Sequence, residues 1–246
     1  MFNFMFDNKI MLIIIAIIII TNVASLLGDP SALMSIVISI PGVLIAMTFH
    51  EFAHAYAAYK LGDTTAKEEG RLSLNPFDHL DPVGTFMLLF AGFGWGKPVH
   101  VNPTNYTRKM SMEKGEAIVS VAGPLMNIVL AFVFSIIYML ITKFQYTVGF
   151  WLTNVGQIIK LIVFYTISIN VGLGVFNLIP LPPLDGSKVI LPFLPYNIKR
   201  FFIEKEQLLY FIFVIIFITP IASMIISPAI NWVGNGILDL ASKIIL

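Results

Sequence analysis

Residues 117–142 run for 26 positions without an Asp, Glu, Lys or Arg. A helix that crosses the hydrocarbon core of a bilayer needs about 20 mainly apolar residues, and a soluble helix of that length carries a charged face that this stretch lacks. Further uncharged runs lie at 10–28, 30–49 and 161–184, and a fifth, 207–238, is interrupted by Pro220 and Pro228. The expected fold class is therefore an all-α polytopic membrane protein with about six transmembrane or partly inserted helices. Membrane spans are placed at 10–28, 32–58, 116–142, 158–182 and 207–226, with a further helix over 228–244 that either spans or lies on the membrane. The first run resembles a secretion signal but is longer than the usual apolar core and is followed by a poor cleavage stretch, so it is expected to stay as a span. Residues 82–98 are too short to cross and are glycine-rich, which predicts a re-entrant hairpin, since irregular backbone at membrane depth must lie against protein or a water-filled cavity. Residues 1–246 read as a single integral-membrane domain.

Charge supports the same class and excludes another. The net charge of +1 gives no sign of nucleic-acid binding, and 12% charged against 57% apolar residues leaves no segment polar enough for a separate soluble domain. Basic residues are distributed unevenly. With a cytosolic N-terminus, Lys60, Lys67, Arg71, Lys97, Arg108, Lys109, Lys114, Lys188, Lys199, Arg200 and Lys205 fall inside, and Lys143 and Lys160 outside. That bias follows the positive-inside rule.

Against this background, His50-Glu51-Phe52-Ala53-His54 stands out at the end of an apolar run. Residues four apart share a helix face, so two imidazoles in H-E-x-x-H can bind one zinc, and the glutamate beside them can take a proton from water. Ionisable groups within a span are costly and are by default a functional hypothesis. Cysteine is absent, so a third protein ligand must be His, Asp or Glu. His79 and His100 are loop candidates, better read as hydrogen-bonded loop residues. Asp185, after the helix-breaking Pro180, Pro182 and Pro183, is the more persuasive candidate, although alone it reads better as an interfacial aspartate before a glycine turn.

The combination is more specific. H-E-x-x-H in one span and Asn177-Leu178-Ile179-Pro180-Leu181-Pro182-Pro183-Leu184-Asp185-Gly186 in a later one resemble the site-2 protease family of intramembrane zinc metalloproteases. Gly70-Arg71-Leu72-Ser73-Leu74-Asn75-Pro76, Asp78-His79-Leu80-Asp81-Pro82, Trp95-Gly96-Lys97-Pro98-Val99 and Ala122-Gly123-Pro124-Leu125-Met126-Asn127 stand between them in the family's order. The resemblance covers most of the chain and implies the small subgroup without a PDZ or nucleotide-sensing domain. It implies one Zn2+ per chain held by His50, His54 and Asp185, with Glu51 as general base. Asn177 and Asn127 match positions associated with substrate or the oxyanion. The implied partners are a single-span membrane-protein substrate and the lipid bilayer, with self-association or a regulatory membrane partner as the route to control. The implied location is a prokaryotic cell membrane, with the active site toward the cytosol. Two other readings compete: a zinc- or ion-handling transporter, and a non-catalytic relative that binds membrane proteins. Ionisable groups gathered at one level, with Glu51 spare as a ligand, favour hydrolysis over transport.

Overall fold

The computed structural model describes residues 28–91, 96–107, 110–218 and 220–246, with positions 17, 20 and 21 before them. The expected first span at 10–28 therefore lies largely outside the described residues.

Helix α1, Pro30–Lys60, starts where Asp29 accepts from the Ser31 backbone N–H at 2.9 Å and Pro30 takes the first helical position, where no N–H is needed. It ends at Leu61 and Gly62, whose φ of 107° favours glycine. The short helices α2 (Thr65–Glu68) and α3 (Pro76–His79) follow, then α4 (Pro82–Ala91). The long helices α5 (Met112–Phe144) and α6 (Asn154–Asn177) are opened by Ser111 and Thr153, whose hydroxyls accept from Lys114 N and Gly156 N. The chain closes with α7 (Asp185–Ile190), α8 (Tyr196–Glu204), α9 (Glu206–Ile218) and α10 (Pro220–Ile245). Helices α1, α5 and α6 pack on one another, with α10 against α5 and α6.

By length and composition α1, α5 and α6 can each cross a membrane, and they cover most of the segments expected at 32–58, 116–142 and 158–182. Their burial pattern is the reverse of a soluble bundle. Thr48, Asn127, Ser135, Thr166 and Asn170 are buried, whereas Val37, Leu125, Val129, Val133 and Phe164 are exposed. Lipid removes the hydrophobic reason to bury Leu or Val, while polar side chains gain by bonding between helices. The described residues are those of an all-α membrane protein.

The expected span at 207–226 is described as α9, Glu206–Ile218, and the first residues of α10, Pro220–Ile245, with residue 219 outside the described residues. In 82–98 the chain leaves and returns to the same place, with Leu80 bridged to Gly96 and Lys97 N donating to His79 O at 2.8 Å. Its outward limb is the helix α4, begun by Asp81, which accepts from Gly84 N; residues 92–95 lie outside the described residues.

The returning chain forms a strap, 96–107, across the end of α1. Asp63 holds it. This buried carboxylate accepts from Thr65 N and Oγ1, from Asn102 N at 2.7 Å and from Asn105 Nδ2 at 2.9 Å. Burial pushes its pKa up, but the hydrogen bonds from Thr65, Asn102 and Asn105 outweigh that and hold it below the ordinary 3.8. A lowered carboxyl pKa stabilises the fold above the unfolded value and loses that contribution as pH falls through the folded one. Asp63→Ala should remove the anchor at every pH, at a cost of about 3 kcal/mol for several charge-assisted bonds. Limited proteolysis in detergent should then cut the strap faster than in the wild type; equal rates would show that Asp63 does not hold it.

Candidate metal centre

His50 and His54 lie one helical turn apart on α1, both buried, at 7% and 8% exposure. Their rings are fixed by α5. His50 Nδ1 lies 2.6 Å from Asn127 Oδ1, and His54 Nδ1 lies 2.7 Å from the Val119 carbonyl oxygen. A carbonyl only accepts, so His54 carries its hydrogen on Nδ1. Asn127 gives the same answer for His50. Its Nδ2 is aimed at the Ala46 carbonyl, 3.0 Å away, which assigns the amide with Oδ1 toward His50. In neutral rings both Nε2 atoms are therefore bare lone pairs.

Those two lone pairs face each other at 3.0 Å, and Asp185 Oδ2 stands 3.2 Å from one and 3.3 Å from the other. Three acceptors converge with no hydrogen between them. Such a cluster repels itself unless a cation sits among its members, and two imidazoles with a carboxylate are a zinc donor set. Among the described residues this is the one group of three or more His, Asp or Glu side chains arranged to hold a metal ion.

Local folding explains how each member arrives. Gly123 of α5 gives the rings their room: a Cβ there would lie 2.4 Å from His54 Nε2 and 2.8 Å from His50 Cε1. Asp185 is delivered by the turn after α6. Leu184 N donates to Leu181 O and Ser187 Oγ to Leu184 O, and Gly186 packs so closely on the end of α6 that a Cβ would lie 2.3 Å from Leu178 O. Ion pairs from Lys188 to Glu116 at 3.6 Å and from Lys199 to Glu113 at 2.7 Å tie the following segment to the start of α5.

Glu51 stays outside the cluster. Its Oε2 accepts from Val99 N at 3.0 Å, so the strap that Asp63 anchors also orients this carboxylate. Asn127 is fully buried and its two N–H groups go to Ala46 O and to Asn170 Oδ1, each at 3.0 Å. Both of its donors are thus engaged between helices, and its oxygen faces His50. Asn177 donates one N–H to Leu173 O of its own helix at 3.0 Å.

The remaining histidines are elsewhere. His79 is buried at the end of α3 with Nε2 bonded to Ser73 O at 2.7 Å, and His100 is an exposed partner of Glu69 at 3.0 Å. Reading the chain alone assigns no role to Gly123 or Asn170. The available signal for Asn170 was a polar residue within an apolar run.

Comparison with known proteins agrees with the site. The profile of Peptidase family M50 matches residues 38–220, a range that contains both histidines, Glu51 and Asp185. The candidate zinc metalloprotease YwhC of Bacillus subtilis is 38% identical over 203 residues, covering 82% of this chain and 90% of that protein. Rip2 of Mycolicibacterium smegmatis, also a candidate zinc metalloprotease, is 29% identical over 80% of this chain and 72% of its own length. A third candidate zinc metalloprotease, from Methanocaldococcus jannaschii, is 30% identical over 65% of this chain and 72% of its own length. No solved structure matches. With most of its length matched by the family profile, and a relative aligned along nine tenths of that relative's chain, the protein belongs to Peptidase family M50.

Proposed function

We infer that the protein is an intramembrane zinc metalloprotease that hydrolyses a peptide bond in or near the transmembrane segment of a membrane-protein substrate. The observation that carries this reading is the meeting of His50 Nε2, His54 Nε2 and Asp185 Oδ2, with the Glu51 carboxylate held outside their set. A zinc ion held by His50, His54 and Asp185 would supply Lewis acidity there and would lower the pKa of a bound water to about 7. Glu51, with Oε2 occupied by Val99 N, is left with Oε1 to receive the proton of the attacking water and return it to the leaving nitrogen. Asn177 keeps one N–H without a partner among the described residues, and we assign it to the oxyanion that develops on the substrate carbonyl. Asp185, with its side chain 21% exposed, is the most exposed member of the cluster.

The substrate is a single-span membrane protein, because a site at the end of α1 lies within reach of another chain in the same bilayer. Its helix must unwind locally, since its peptide bonds are hydrogen-bonded and shielded. The cut falls toward the cytosolic end of that span. Charge supports this orientation. Lys188 and Lys199 pair at the start of α5, beside the site, while Lys143 and Lys160 lie at the far ends of α5 and α6.

Zinc content and cleavage of a membrane-embedded reporter peptide test the reading together. About one zinc per chain is expected in the wild type. Chelation should abolish cleavage and zinc should restore it. Asp185→Ala should lose both metal and activity, whereas Asn177→Ala should keep the metal and turn over about 10²-fold more slowly. Full zinc in Asp185→Ala would overturn the ligand set.

A further inference from the structure

We propose that Asn170 is a positioning residue for the metal centre, acting from a third helix through Asn127 on His50. The inference rests on His50 being a zinc ligand. It adds a residue in no contact with the metal group and matched by none of the motifs above.

The chain of bonds is continuous and each link has one direction. Asn170, fully buried in α6, donates its Nδ2 to Thr166 O of its own helix at 2.8 Å. This turns its Oδ1 toward α5, where it accepts from Asn127 Nδ2 at 3.0 Å. Asn127 gives its other hydrogen to Ala46 O of α1 and presents Oδ1 to His50 Nδ1 at 2.6 Å. Three helices are joined by hydrogen bonds that end on the histidine nitrogen opposite the metal-facing one.

The directions matter because an amide can turn over. A flipped Asn127 would put an N–H against His50 Nδ1, which would favour the ring form with its hydrogen on Nε2, the atom a metal needs bare. Two acceptors prevent the flip, Ala46 O and Asn170 Oδ1, and both lie where the flipped amide would bring its oxygen. Asn170 thus secures the tautomer of a side chain it does not touch. His54 needs no such device, since a backbone carbonyl faces its Nδ1.

Outer partners of metal-bound histidines change affinity by about 10–100-fold. In detergent-purified full-length protein titrated with Zn2+ against a competing chelator, Asn127→Leu should bind about 10–100-fold more weakly. Asn170→Leu should weaken binding several-fold, with Asn170→Ala as the second variant should leucine not fold. Asn170→Asp is the conservative rescue. A protonated carboxyl there keeps one oxygen for Asn127 and a donor for Thr166 O, and affinity should return to within about twofold of wild type, below the range expected when an outer partner is lost. The double variant Asn127→Leu with Asn170→Leu should bind no more weakly than Asn127→Leu alone, because the second residue acts only through the first. Wild-type zinc affinity in Asn170→Leu or Asn170→Ala, or losses that multiply in the double variant, would overturn the proposal. A residue that only packs helices would lower the thermal stability of the metal-free protein and leave zinc affinity unchanged. A wild-type chain that binds no zinc would instead overturn the metalloprotease reading, so the two failures are separable.

Discussion

Glu51→Gln is expected to lower peptide-bond hydrolysis by about 10³-fold or more while leaving one zinc per chain. The two results come from different atoms. The proposed metal donors are the Nε2 atoms of His50 and His54 and Oδ2 of Asp185, none of which the substitution touches. Glutamine still offers an oxygen to Val99 N, so the strap keeps its hydrogen bond. What is lost is the carboxylate that would take the proton of the attacking water. Cleavage of a reporter and zinc content, measured on the same preparation, check it. Retained cleavage would move the general base elsewhere. Loss of zinc would mean that Glu51 is a ligand after all, and the division between binding and proton transfer would fail. This variant also separates the protease from a non-catalytic relative, whose binding of a membrane-protein partner it would leave intact.

Gly123→Ala should be nearly as severe for a different reason. In a helix interior alanine is favoured over glycine by about 1 kcal/mol, so propensity alone predicts a more stable α5. The new methyl would, however, fall 2.4 Å from His54 Nε2 and 2.7 Å from its Cε1. The rings cannot swing away cheaply, because Asn127 and Val119 hold their Nδ1 atoms. Zinc affinity should fall by about 10²-fold or more, beyond the loss of one outer-shell partner, while helical content by circular dichroism is unchanged. Tight zinc binding in Gly123→Ala would show that the site relaxes around the methyl, and that the close approach of α5 is not what shapes it.

The parts of this site legible along the chain are those with short spacing. His50 and His54 are four apart, and helix periodicity alone puts them on one face. Asp185 was only one of several candidates on residue chemistry, because a turn built by Pro180, Pro182, Pro183 and Gly186 carries it to the histidines across 131 positions of chain. Its place came from the order of motifs. Gly123, Val119, Val99 and Asn170 were not legible, since each acts through the rotation of one helix against another or through the path of a returning strap. For Asn127 the order of motifs gives proximity to the site, whereas its bonds to Ala46 and Asn170 depend on how α5 packs on α1 and α6. In the fold, three long apolar helices were plain from uncharged runs. The helical limb Pro82–Ala91 is less so, because a short apolar stretch with glycines reads equally well as irregular backbone.

The separation of the ligands along the chain also has a meaning in time. His54 leaves the ribosome 131 residues before Asp185. At about 5–20 residues per second, synthesis takes roughly 7–26 s to cover that interval. Through all of it the nascent chain holds a pair of histidines and a poised glutamate but lacks the carboxylate that completes their set. Helices α5 and α6 must both be made, and the turn after α6 folded, before the site closes. The three donors His50, His54 and Asp185 are thereby brought together only when about three quarters of the chain has been made.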